Sequence, residues 1–316
     1  MGGVLLAQAV PNWAFATTLP ANELIHRSSK AMGTSLQLSL LREEFSSRQA
    51  DLAFERLLEV DRLLTVHNPD SLLMRLNRSP GAWMQGRALS DVAKSAVKIG
   101  DLSEGALDVT ILPAMRRLGF VPGAAAASDR IDYSKIQIDE EGVRISESGI
   151  GVDMGGIAKG YGVDEAVRSL RVGGLTTALI DAGGDLYGLG RPDTDRRWKV
   201  GIRHPERKND LIASLEIENE AVATSGTYMQ KRIVRGQEVS HLIDPRSGRP
   251  VDHIVSSTIV SHSTMLSDGL ATATSVMAPR AAQALIESLP EAEGFWIYSD
   301  GTHHITSGLR SRLSLF

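Results

Sequence analysis

The second half of the chain is a run of short apolar segments with turn residues between them. Thr176–Asp181, Leu186–Leu189, Trp198–Arg203, Ile212–Ile217, Arg232–Val234 and Val239–Ile243 read as strands, with turns at Ala182-Gly183-Gly184-Asp185, Asn209-Asp210 and Arg235-Gly236. Parallel neighbours need a crossover of about a dozen residues or more, usually a helix, so gaps of hairpin length impose antiparallel pairing. The fold class is therefore α+β, antiparallel sheets packed with helices, and not a regular βαβ winding.

The first half supplies the helices. Arg48–Leu64 carries Leu52, Leu57, Leu58, Val60 and Leu64 with charges between them, the pattern of an amphipathic helix lying on a sheet. Further helices are expected over Asp91–Leu102 and around Met115–Leu118. Residues 31–41 alternate from Ser35 onward and read as a half-buried strand entered through Met32-Gly33-Thr34. Ile131–Ile138 and Gly142–Ile145 read as strands around an Asp139–Gly142 turn, and Gly123–Ser128 as a surface loop of small residues. No repeat, low-complexity tract or long linker divides the chain. Residues 21–316 are expected to form one domain, with room for two subdomains.

Residues 1–20 stand apart. Val4–Val10 is a short apolar run and Ala14-Phe15-Ala16 has the small-x-small form of a signal cleavage site, but the first basic residue is Arg27. The segment is expected to be the inner part of a longer export signal, which places the chain in the periplasm; a cytoplasmic protein with an apolar N-terminus is the alternative. The chain contains no cysteine, so disulfides, thiolate metal sites, cysteine nucleophiles and lipid attachment through cysteine are not expected. A net charge of −4 and an aromatic content of 5% argue against nucleic acid as the partner.

The chemistry centres on residues 149–164. Ile150–Met154 reads as a short buried strand, Gly155-Gly156 as a turn that lets a ligand approach the backbone, and Ile157–Leu170 as a helix stopped by Gly173-Gly174. Unpaired N–H groups at the start of such a helix favour phosphate, and Lys159 in its first turn is placed to reach a phosphate or a base. Asp153 is a candidate acceptor for polar ligand groups. The same punctuation also occurs in α/β units that bind nothing.

Three later clusters add polar chemistry. Ala223–Tyr228 reads as a hydroxyl-rich turn, His241–Gly248 as a strand ending in a turn, and Ser267–Thr272 as the opening of a helix. Asp268 and Thr272 are four apart, so both oxygens lie on one helix face, a pair suited to Mg²⁺; a helix cap is the competing role for the aspartate. His241 beside Asp244 invites a Ser-His-Asp arrangement with Ser225, but no nucleophile elbow accompanies it. Asp108 and Thr110 need partners when buried and are placed to cap the following helix. His303-His304 lacks zinc spacing and reads as exposed hairpin.

Taken in order, these segments resemble the FAD:protein FMN transferase (ApbE) family, once called thiamine biosynthesis lipoproteins. The resemblance runs from Met32 to about Met277. It is carried by Met32-Gly33-Thr34, Asp70-Ser71 through Asn77, Gly105–Thr110, Val152–Tyr161, Asp181–Asp185, Thr224–Tyr228, His241–Pro245 and Ser267–Thr272. It implies a T-fold-related catalytic domain that uses Mg²⁺ to move FMN from FAD onto a Thr or Ser hydroxyl of an acceptor protein, releasing AMP. It implies FAD contacts from Met32, His67, Ala106, Leu107, Asp108, Asp153, Lys159 and Leu242, and magnesium held by the Gly156 carbonyl, Asp268 and Thr272. His241 is the candidate base. The acceptor it implies is a subunit of a membrane redox complex. Two positions depart from the family pattern: His67 replaces a common aromatic, and Asp108-Val109-Thr110 replaces Asp-Pro-Thr.

Overall fold

The structure is a computed structural model that describes residues 24–123, 130–207 and 209–316. The export-like segment 1–20 and nearly all of the 123–128 loop lie outside the described residues. Eight strands build the main sheet, and their spatial order is their chain order: β1 Leu24–Ala31, β2 Thr34–Leu41, β3 Ala178–Ala182, β4 Asp185–Leu189, β5 Glu220–Gly226, β6 Ile254–Ser261, β7 Ala292–Tyr298 and β8 His303–Ile305. Every neighbouring pair is antiparallel, as the short turns of the second half require. Helices enter as excursions between strands: α1 Ser47–Leu64, α2 Leu72–Arg78, α3 Arg87–Leu102, α4 Leu112–Arg117 and α5 Ala158–Val172 between β2 and β3, then α6 Thr264–Val276 and α7 Pro279–Glu287 between β6 and β7.

Side chains of successive strand residues point to opposite faces, and the sheet uses both. On one face Leu36, Leu38 and Ile180 pack against Phe54 and Leu57 of α1 and Val163 and Val167 of α5. On the other, Leu179, Val222 and Phe295 meet Trp198, Val200 and Leu215, which belong to a three-stranded sheet of Trp198–Arg203, Leu211–Ile217 and Leu313–Leu315. A further core, with Leu73, Val92 and Ile99, joins α2 and α3 to α6.

Several boundaries differ from the sequence reading. Ile150–Met154 is extended but belongs to no ladder: Gly151 makes one isolated bridge to Ile111. Its partners are the 109–112 backbone, with Asp153 N donating to Val109 O at 2.7 Å and Leu112 N to Gly151 O at 3.2 Å, and the Asn77 side chain, whose Oδ1 accepts from Val152 N at 2.7 Å and whose Nδ2 donates to Val152 O at 2.8 Å. Residues 133–135 form a 3₁₀ turn because Asp132 caps it, so that strand begins only at Ile136. Residues 220–226 are strand β5, not a turn. Helix α6 starts at Thr264 with Ser263 as its cap, which puts Asp268 in its second turn and frees it from a capping role. Asp108 and Thr110 do not cap α4, whose N-cap is Ile111.

Helices α5 and α6 approach closely, and this contact positions the site. A Cβ on Gly160 would lie 2.3 Å from the Thr264 carbonyl oxygen, so no side chain fits there. The Asp164 carboxylate closes the same contact by accepting from the Thr264 and Met265 amides at 2.8 and 3.0 Å and from Ser263 Oγ at 2.7 Å.

Candidate active site

A cavity of about 1040 Å³ opens where the 153–159 turn, the start of α5, the ends of β3 and β5, and α6 converge. It is of a size to enclose a dinucleotide. All twelve residues singled out from the sequence line it: Met32, His67, Ala106, Leu107, Asp108, Asp153, Gly156, Lys159, His241, Leu242, Asp268 and Thr272.

Its polar floor is built from α5 and α6. Asp268 is buried; its Oδ2 accepts from the Gly160 amide at 3.0 Å, and its Oδ1 lies 3.5 Å from Lys159 Nζ. Lys159 also donates to Asp185, a buried carboxylate at the start of β4. One ammonium thus stands against two carboxylates. Burial disfavours the charge on Lys159, but Asp185 and Asp268 more than offset it and raise its pKa. Burial raises the Asp185 pKa, and Asp268 adds to the rise by like-charge repulsion. Lys159 therefore does not stand free for a phosphate, as the sequence suggests; it neutralises the floor. Asp185 and Asp181 carry the resemblance in the sequence but are given no role there. Their signal is the Asp181-Ala-Gly-Gly-Asp185 turn, whose ends both line or abut the cavity.

One helical turn beyond Asp268, Thr272 meets the glycine turn. A Cβ on Gly156 would lie 3.0 Å from Thr272 Cγ2 and 3.4 Å from its Oγ1. Thr272 Oγ1 is also 3.3 Å from Ser225 Oγ of β5. A carboxylate, a hydroxyl and the backbone of Gly156 therefore come together on one wall. This set fits a hard divalent cation that takes its remaining ligands from phosphate and water. No cluster of three or more His, Cys, Asp or Glu suited to a metal occurs among the described residues, so substrate oxygens would have to complete the shell.

Other lining residues are held by their own backbone contacts. Met32 adopts a left-handed φ of 54°, fixed by donation of its N–H to Asp61 Oδ2 at 2.8 Å. Asp153 Oδ1 accepts from Gly155 N at 2.9 Å, and burial raises its pKa. Both oxygens of Asp108 are engaged within the chain: Oδ1 accepts from Thr110 N and Oγ1 at 2.8 and 2.6 Å, and Oδ2 from Tyr133 N at 3.0 Å. Asp108 thus shapes the wall more than it offers a free acceptor. His67 is exposed at the mouth.

His241 follows the Lys231–Ser240 hairpin. Its Nδ1 is 3.3 Å from the Gln230 carbonyl, an acceptor only, so Nδ1 carries the proton and Nε2 keeps its lone pair. Burial in the cavity wall, with a smaller push from Lys159, lowers its pKa to about 4 against the opposing pull of that carbonyl. The imidazole is neutral at pH 7. Its ring also meets Phe120 edge-on, with centroids 6.5 Å apart. Asp244 does not orient it: Asp244 Oδ1 accepts from Arg246 N and Nε, at 3.0 and 2.8 Å, and closes the turn. Ser225 bonds to Thr272, so the Ser-His-Asp arrangement is not formed.

An eight-stranded antiparallel meander, with a dinucleotide-sized cleft walled by oxygen donors and a neutral histidine, defines a ligand-binding α+β class. The chain belongs to the ApbE family, whose model matches residues 32–296. It is 29% identical over 310 residues to the FAD:protein FMN transferase of Salmonella typhimurium, covering 88% of this chain and 87% of that one. It is 31% identical over 288 residues to the protein of the same name from Vibrio cholerae, covering 84% and 85%. Its fold matches the ApbE protein of Thermotoga maritima with a TM-score of 0.83 at 24% identity, over 92% of this chain and 99% of that one. The flavin transferase ApbE from Vibrio cholerae gives a TM-score of 0.79 at 28% identity, with the same coverage.

Proposed function

We propose that the chain is an FAD:protein FMN transferase that uses Mg²⁺ to attach FMN to a Thr or Ser hydroxyl of an acceptor protein and releases AMP. The observation that carries the reading is the meeting of Gly156, Asp268 and Thr272 on one wall of a cavity that also holds a neutral His241. The names of the Salmonella and Vibrio relatives support the flavin chemistry.

In this reading the acceptor oxygen attacks the FMN-side phosphorus, and a new P–O bond forms. The bond from that phosphorus to the bridging oxygen breaks, and AMP leaves with that oxygen. His241 Nε2 takes the hydroxyl proton, held toward the cavity by the Nδ1 bond to Gln230. Mg²⁺ bound at Asp268, Thr272 and Gly156 would supply charge neutralisation at the pyrophosphate and the leaving oxygen. Lys159 and Asp185 hold Asp268 in place. Met32, Leu107 and Leu242 give FAD apolar walls, and Asp153 accepts from its polar groups.

Export to the periplasm and an acceptor subunit in a membrane redox complex belong to the same proposal. The apolar run at Val4–Val10 with Ala14-Phe15-Ala16 supports the first, and the family resemblance supports the second. Chromatography of the flavins after incubation with FAD and Mg²⁺, with and without an acceptor, tests the reading. Acceptor-dependent AMP release without matching free FMN is expected. Equal FMN and AMP regardless of acceptor identify a hydrolase, and unchanged FAD identifies a binding protein.

A further inference from the structure

The Lys231–Ser240 hairpin adds nothing to the apolar interior; only Ser240, at its base, is buried. Its strands, Lys231–Val234 and Gln237–Ser240, pair only with each other, and none of residues 231–239 enters the hydrophobic clusters of the described residues. Ile233 is 70% exposed, although a β-branched apolar residue gains nothing from water. Both outer edges of a two-stranded ribbon carry backbone groups open to another strand.

The base of this ribbon is the active site. Gln230 and His241 close it through His241 N donating to Gln230 O at 3.1 Å, and Met229, Gln230 and His241 all line the cavity. A chain running along the ribbon edge is delivered to the imidazole. The ribbon is also basic: it carries Lys231, Arg232 and Arg235 against a single carboxylate, Glu238, which Lys231 already pairs at 2.7 Å. Arg232 lies over the Phe120 ring, 5.8 Å from its centroid, and Arg235 stands exposed at the turn.

Building on the transferase reading, we propose that this hairpin is the docking edge for the acceptor protein. An extended segment of the acceptor adds to the ribbon as a strand, rests an apolar residue on Ile233, sets acidic residues against Arg235, and brings its Thr or Ser to His241 Nε2. Strand addition suits this task because main-chain bonds give affinity while a few side chains give selectivity.

The test compares the full-length protein with Ile233→Asp, Arg235→Glu and the conservative Ile233→Val. The probe is a soluble protein carrying an exposed, extended segment with one Thr or Ser flanked by acidic residues. FAD affinity is read by flavin fluorescence, folding by Tm, and transfer by the KM and kcat for the probe. The proposal expects Ile233→Asp and Arg235→Glu to keep wild-type Tm and FAD affinity while raising the probe KM roughly tenfold or more, the loss typical of an interface anchor. Ile233→Val should stay near wild type. Probe KM values within twofold of wild type for both charge variants overturn the docking role while leaving the transferase reading intact. Parallel loss of FAD affinity overturns it as well, by assigning the hairpin to the flavin site. A wild-type protein that transfers no FMN to the probe removes the transferase reading and the docking role with it.

Discussion

Thr272 of α6 occupies the space a side chain on Gly156 would need. A Cβ at position 156 would sit 3.0 Å from Thr272 Cγ2 and 3.4 Å from Oγ1, so the glycine turn and the late helix form a single contact. Because Gly156 lies outside the left-handed region, Gly156→Ala tests the contact and not backbone strain. The substitution must push Thr272 by a few tenths of an ångström. Overpacking of this kind costs about 1–3 kcal/mol. The expected outcome is a folded protein with a modestly lower Tm and a larger loss of Mg²⁺-dependent turnover of FAD. Wild-type turnover with the same Tm loss would separate this contact from the chemistry.

On the transferase reading Asp268 has two duties, holding the Gly160 amide and binding the cation, and Asp268→Asn divides them. The asparagine oxygen still accepts from Gly160 N, and Lys159 retains Asp185, so the α5–α6 contact should hold. Without the carboxylate the site loses its one anionic oxygen toward a cation. Turnover should fall by roughly 10²-fold or more, the scale of losing a preorganised charge-stabilising group, with far-UV circular dichroism unchanged. Asp268→Ala is the poorer variant. It strands the buried Gly160 amide, which costs about 1–3 kcal/mol.

The depressed pKa of His241 sets the pH profile. The imidazole is in its base form above about pH 4, so the acid limb of kcat/KM that it controls should lie near pH 4 and not near the ordinary histidine value. His241→Ala should remove that limb and lower kcat by about 10²–10⁴-fold, with FAD affinity little changed. Equal loss of affinity and kcat would make His241 a flavin contact instead. For stability the sign is fixed by linkage. The unfolded chain takes up the proton first as pH falls, so the His241 contribution is complete above 6.5 and is lost between 6.5 and about 4.

Asp181 behaves in the opposite sense. Burial raises its pKa to about 6, against the Gly184 amide, which donates to Oδ1 at 2.7 Å, and against Lys159 and Arg203. The native state holds the proton more tightly than the unfolded chain, so this group's contribution is present below 3.8 and is lost as pH rises through about 6. Asp181→Asn keeps the acceptor for Gly184 without the charge. Its Tm should exceed that of wild type at pH 8, and the two should converge near pH 4 in a pH series of thermal melts.

What the sequence displays and what it hides follow from the kind of interaction involved. Helix α1 is legible at nearly its full length because its apolar face repeats every turn, and Trp198–Arg203 because burial alternates along it. Strand β1 is hidden because its middle, His26 to Lys30, is polar and pairs along only one edge of the sheet. The strand-like look of Ile150–Met154 is real, but its partners are single backbone bonds to Val109 and Leu112 and the side chain of Asn77, 75 residues from Val152, which no local pattern reveals. The same holds for the site. Asp268 and Thr272 advertise themselves by helical spacing, and Gly156 by its doublet. That Lys159 is engaged by Asp185, and that Asp108 spends both oxygens on Thr110 and Tyr133, are facts of tertiary packing.

The most direct measurement of the central claim is the intact mass of an acceptor protein after incubation with FAD, Mg²⁺ and this protein. The account predicts that the acceptor gains the mass of one FMN phosphoryl unit on a Thr or Ser with wild-type protein and gains none with Asp268→Asn. An acceptor of unchanged mass, with FAD either intact or split to free FMN and AMP, would contradict it.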